Sequence, residues 1–316
     1  YMLNRRLIRI KVFKSLFSAV SSGADSVSSL EKSFLKSCDK TKDLYFFMMN
    51  VSVALKRAAD AKIEAGLKKF HPTPEEKNPN MKFSENLFVE RVMSEEKFVS
   101  YVEREGLLWN NDELILYVKR LYNRIAEKEY FKEYMASPER SLREDCDLFI
   151  NIFTQEFEDD ETLEQILEDM SLYWMDDLGF VLMTIVANIE YLRDRDRFAI
   201  PKTFLKEDDR EFAVELMNYS FINYTKLYDR VSQNLSNWDS DRLVSTDIAL
   251  IVIGVAEAMR FPNIPVKVTI NEYVEISKYY STINSNVFVN GLLDKLIQSM
   301  VASGEIVKTG RGLIES

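Results

Sequence analysis

Glycine is scarce, with nine in 316 residues. A phosphate-cradling loop needs several glycines at fixed spacing. Neither GxGxxG nor GxxxxGKS/T occurs, which argues against a nucleotide-binding enzyme. Histidine occurs once, at His71, and cysteine twice, at Cys38 and Cys146. A zinc site takes about four clustered ligands. The histidine and cysteines here are too few and too scattered, so no metal and no cofactor is expected, and no catalytic residue is assigned. Two cysteines over this length make no disulfide framework, and reduced thiols in a cytoplasmic protein are expected. No stretch reaches the ~18 uninterrupted apolar residues of a membrane span. The N-terminal apolar residues are broken by Arg5, Arg6, Arg9, Lys11 and Lys14, unlike a signal peptide. Positive charge is also in deficit, with 41 Lys and Arg against 51 Asp and Glu and a net charge of −10. That is the wrong sign for generic nucleic-acid binding, which draws on counterion release by basic groups.

What is present is apolar and helical in pattern. Apolar residues make up 46% and charged residues 29%, the balance of a globular chain with a sizeable core. The charge is uneven. Five basic residues and no acid precede Asp25, whereas thirteen acids and one Arg lie between Leu142 and Gly179. The overall sign is therefore a poor guide to any local surface. Leu7, Ile10, Phe13, Phe17 and Val20 recur every three or four residues, as on one face of a helix. Ile248, Ile251, Val252, Val255, Ala256 and Met259 do the same, with Ser245 or Thr246 as N-cap and Asp247 in the first turn. Pro262 and Pro265 force a loop. Val266, Ile270, Tyr273, Val274 and Tyr280 mark a further helix. A last one, capped by Ser285, carries Phe288, Leu292, Leu296 and Met300 and stops at Gly304. No run alternates as strands with hairpin turns.

Residues 71–86, HPTPEEKNPNMKFSEN, hold three prolines and read as a linker. A repeat at an offset of 64 relates Leu148, Ile150, Ile152, Phe153 and Trp174 to Phe212, Val214, Leu216, Met217 and Trp238. Both tryptophans read as packing residues. The acids Glu156–Glu161 read as a solvated face.

Two stretches carry a resemblance. The first is RRLIRIKVFKSLF, residues 5–17, a basic cluster before an apolar stripe that ends in Leu16-Phe17. The second runs from about Asp209 to Lys295, through DREF, NWDSDRL and IPVKVTINEYVEISK to FVNGLLDK. In order and spacing these resemble the NusB family of transcription antitermination factors, whose small members are all-helical. The resemblance implies an all-α fold with a NusB-like helical bundle core and an additional, mainly helical insertion. The implied division is a basic N-terminal helix over 1–22, an insertion over 23–204, a C-terminal helical core over 205–303 and a tail over 304–316.

It also implies a function. Family members bind boxA-type single-stranded RNA together with NusE, a ribosomal small-subunit protein, within an RNA polymerase antitermination complex. RNA contacts in the family come from the arginine-rich helix and the loop between the last two helices. Carried over, these are Arg5, Arg6 and Arg9, then Lys278, Tyr280 and Asn284. Lys267, Asn271 and Lys278 share one helical face, which adds Lys267. Cations neutralise phosphate, rings stack on bases and amides read base edges. The family's NusE surface involves the helix beginning near Asp247. Asn284 stands where acids are common in the family. Asn290-Gly291 interrupts a good helix, which is expected to allow close approach of a neighbouring helix or RNA. The acidic balance supports a second reading, a protein–protein scaffold that keeps the fold without RNA binding. NusB-like domains also occur fused to ribosomal RNA methyltransferases, but no Gly-rich cofactor loop or nucleophile motif supports an enzyme here.

Overall fold

The computed structural model describes residues 3–23, 26–204, 206–235 and 245–314. Trp238 and the NWDSDRL run lie outside the described residues. In chain order the helices are α1 (Arg5–Ser22), α2 (Val27–Met49), α3 (Val51–Leu67), α4 (Pro74–Lys77), α5 (Leu87–Ser94), α6 (Glu96–Glu105), α7 (Asp112–Ala126) and α8 (Glu129–Ala136). They continue as α9 (Leu142–Gln155), α10 (Glu161–Met170), α11 (Leu178–Arg195), α12 (Glu207–Ile222), α13 (Tyr224–Gln233), α14 (Ser245–Arg260), α15 (Val266–Tyr280) and α16 (Ser285–Ala302). Among the described residues no strand forms, and an isolated Leu3–Phe204 bridge is the nearest approach to one. The fold is all-α, as the sequence implies. No described helix is long and apolar enough to cross a membrane.

The chain divides into two compact units. One is built from Asp39–Thr203, the other from Leu3–Cys38 with Phe204–Ser316. In the second unit α14 is the central element. Every side chain from Asp247 to Ala258 is buried, because α1, α12, α13, α15 and α16 all pack on it. α1 starts at Asn4, whose side chain accepts from the Leu7 N–H at 2.8 Å, and ends at Gly23 in the left-handed region. It buries Leu7, Ile8, Val12, Phe13, Leu16 and Ala19, whereas Val20 is exposed. That face is broader than a single stripe because α12 and α14 cover it together.

The Asp39–Thr203 unit has an aromatic core. Phe47 stacks on Trp109 at 4.2 Å and on Trp174 at 5.5 Å. Both indole N–H groups are satisfied by backbone carbonyls, Trp109 by Phe47 and Trp174 by Lys40, as buried indoles require. Trp174 is thus a packing residue. Residues 71–86 differ from a free tether. Thr73 and Glu76 form a reciprocal capping box at α4, and Lys82, Phe83, Ser84 and Asn86 are buried. The Lys82 ammonium lies 2.8 Å from Glu144 and 4.3 Å above the Tyr134 ring. Pro74 opens α4 at its first helical position and Pro79 follows its end, but the apolar and charged residues after Pro79 are held by neighbours.

Candidate nucleic-acid interface

The arginines of α1 lie one turn or less apart, and each meets a carboxylate. The Arg5 Nε donates to Asp209 of α12 at 3.2 Å, with its guanidinium 4.8 Å from the Phe212 ring centre. Arg6 donates twice to Glu272 of α15, both at 2.9 Å. About half of each side chain stays exposed, 45% for Arg5 and 51% for Arg6. The hydrogen bond and charge of Glu272 raise the Arg6 pKa, and the same bond lowers that of Glu272. These are surface pairs of small energetic worth. They fix direction and leave guanidinium surface accessible.

Arg9 differs, and the expectation that it faces RNA is corrected by its burial. Its side chain is 4% exposed and donates twice to Glu257 of α14, at 2.7 and 2.8 Å. Glu257 also accepts from Thr269 at 2.9 Å and from the Tyr273 hydroxyl at 3.0 Å. Burial alone lowers an arginine pKa, but the charge and hydrogen bonds of Glu257 more than offset it, and the Arg9 pKa is raised. Arg9 is the pin that joins α1 to α14 and α15.

At the other end of the site, Lys278 is exposed and pairs with Glu275 on its own helix. Tyr280 is half-buried, its ring 5.7 Å from that of Phe13 on α1. Asn284 is exposed at the start of α16 and makes no capping bond with its side chain. Beside them Tyr279 is 81% and Ile283 96% exposed. Phe13 and Arg6 of α1 thus both reach α15, one near its end and one in its middle. Lys267, also exposed, sits at the opposite end of α15, about 16 Å away along the axis from Lys278. Lys267, Asn271 and Lys278 do form one exposed stripe.

Asp247 is also turned inward, which corrects its expected role as a docking residue. It is 1% exposed and accepts from the Ser285 hydroxyl at 2.7 Å. The Ser285 Oγ in turn accepts from the Thr282 N–H at 3.1 Å. An acid at the start of α14 therefore shapes the α15–α16 loop from beneath.

Sequence reasoning missed two features. Glu257 and Glu272, the counter-charges of α1, were not singled out. A lone acid in the apolar run of α14 was a signal for a buried cation. The tail was given no role, yet the Lys308 ammonium donates to the carbonyls of Ala258 and Phe261, at 2.8 and 3.1 Å. It caps the end of α14, where carbonyls lack helical partners.

The model of the NusB family matches residues 181–298. That range begins within α11 and takes in α12 to most of α16. The chain is 32% identical over 138 residues to a protein of Salinibacter ruber named transcription antitermination protein NusB, covering 42% of this chain and 86% of that protein. A protein of that name from Chloroherpeton thalassium is 34% identical over 106 residues, 34% of this chain and 50% of the relative. One from Acetivibrio thermocellus is 27% identical over 129 residues, 40% of this chain and 89% of the relative. No solved structure matches.

Proposed function

The chain belongs to the NusB family, and from that premise we propose that it is a transcription antitermination factor that works by assembly rather than catalysis. In this reading it binds boxA-type single-stranded RNA together with NusE, joins the RNA polymerase antitermination complex and acts in the cytoplasm. The observation that carries the reading is the convergence of α1 on α15. Arg6 meets Glu272, Phe13 meets Tyr280, and the exposed Lys278 and Asn284 flank the same loop. Arg5, Arg6, Lys267 and Lys278 supply charge for phosphates, and Tyr280 with the exposed Tyr279 supplies rings for bases. Arg9 acts through position, holding α1 in place. Joint binding of RNA and NusE on one surface gives a tighter complex than either pair alone.

The test is a titration with a boxA-like strand and a scrambled strand, each with and without NusE. Replacing Arg5 and Arg6 by Ala should weaken RNA binding by about tenfold. It should also flatten the salt dependence by about 1.4 log units per decade, at roughly 0.7 per neutralised phosphate. A folded double variant with unchanged affinity and slope refutes the site. One observation favours a scaffold without RNA. All three arginines of α1 already have carboxylate partners. On that reading NusE recovery is indifferent to nuclease and to the double variant.

A further inference from the structure

The Asp39–Thr203 unit carries an open groove that the RNA-binding reading does not use. Its volume is about 690 Å³, and it runs along α11 against the end of α9, the turn after it and α10. Its apolar lining includes Phe153, Phe157, Leu178, Leu182, Met183 and Val186. Along α11 the lining residues fall at Leu178, Gly179, Leu182, Met183, Val186, Ala187 and Glu190. These are the three-and-four spacings of a helix face that expects another helix. Met183 is 67% exposed, and Met175, also in the lining, is 55% exposed. An added Cβ at Gly179 meets nothing within 4 Å, so the groove is open at that point.

The rim has one sign. Glu158, Asp159, Glu164, Asp176 and Glu190 line the groove, and no Lys or Arg does. Glu158, Asp159, Glu164 and Glu190 form no salt bridge among the described residues. Such a rim repels RNA and anionic metabolites. The lining also offers few hydrogen-bond donors with which to orient a small ligand. An apolar floor with exposed methionines inside an acidic rim matches an amphipathic helix whose polar face is Lys- and Arg-rich.

We propose that this groove docks a basic amphipathic helix of a partner protein. The partner's apolar face fills the floor between α9 and α11, small residues at Gly179 and Ala187 allow close approach, and its cations lie over the rim. The site is independent of the RNA interface, so each stands or falls alone.

The probe is a dye-labelled Leu/Lys amphipathic peptide of about five turns, titrated into the full-length chain and followed by fluorescence anisotropy. Gly179→Trp should reduce its affinity at least about tenfold, because the indole occupies the groove. Replacing Glu158, Glu164 and Glu190 by Lys should weaken binding similarly and flatten its salt dependence. A peptide of the same pattern with Glu in place of Lys should not bind. Circular dichroism checks that each variant is folded, and Ala187→Arg on the same stripe replaces Gly179→Trp should that variant misfold. Equal affinity for the blocked variant, or equal binding of the Leu/Glu peptide, overturns the proposal. So does a wild-type dimer in sedimentation that Gly179→Trp converts to monomer, since the occupant is then a second copy.

Discussion

Glu257 is the sole ionisable residue between Ile248 and Ala258, and it is fully buried. Removing its charge takes away both carboxylate oxygens to which the buried Arg9 donates and leaves it Glu272, 3.6 Å away. Breaking a buried pair from one side typically costs about 3–5 kcal/mol. Glu257→Gln should therefore lower unfolding free energy by that order, read from chemical denaturation. Arg9→Met should be comparably harmful, and the double variant much less so than the sum, since a neutral Gln beside Met leaves neither member of the pair charged. Additive losses show that the two residues act separately. The sequence placed Arg9 correctly on α1 but could not show what faces it, because Glu257 lies 248 positions away. Arg5, Arg6 and Arg9 look alike along the chain, and burial alone separates them. Asp247 was misjudged for the same reason: helix position is legible, direction inward or outward is not.

At the scale of the element, α14, α15 and α16 pack through Gly254. A Cβ there meets Leu293 at 2.9 and 3.0 Å and the buried Tyr273 ring at 3.2 Å. Gly254→Val should therefore destabilise by about 1–3 kcal/mol through overpacking, although a glycine inside a helix is itself unfavourable. Restoring room with Leu293→Ala should recover part of the loss. No recovery means that the strain lies elsewhere. Apolar periodicity made these three helices readable, and the prolines at 262 and 265 fixed the loop between two of them. Gly304, at φ +77°, follows the end of α16 as expected. Close approach, of a neighbouring helix or of RNA, was expected at Gly291, and Gly254 was not singled out. Gly254 was hidden inside an unbroken apolar run where nothing marks which face meets a neighbour. The segment 71–86 shows the converse. Its prolines signal breaks in helix, but Lys82 and Phe83 are held by contacts to residues more than forty positions further on, which no local pattern reports.

Across the whole molecule, folding moves acids and phenols in opposite directions, and this sets the pH range of stability. Glu272 is lowered by its bond to Arg6, and Glu305 is lowered to about 2 by hydrogen bonds from Arg230 and Ser303. A lowered carboxylate contributes stability that is present above its unfolded pKa, about 4.3 for Glu, and lost as pH falls through the folded value. Asp145 works against this, because burial raises it. On the alkaline side, burial pushes the Cys146 thiol up to about 12. Burial also raises Tyr45, and raises Tyr117, Tyr134 and Tyr273 together with the nearby Asp160, Asp145 and Glu257. A raised group contributes stability below its unfolded pKa, about 8.5 for Cys and 10 for Tyr, that is lost as pH rises through the folded value. Denaturation midpoints should accordingly fall below about pH 4 and above about pH 9, with a plateau between. The phenols give the sharper test, because tyrosinate absorbance reports them directly. Of the 15 tyrosines, these four should ionise only as helical signal is lost. All fifteen titrating in one reversible wave with the helices intact means that these phenols are not buried as described. In that case the Tyr273–Glu257–Arg9 cluster that positions α1 is open to water.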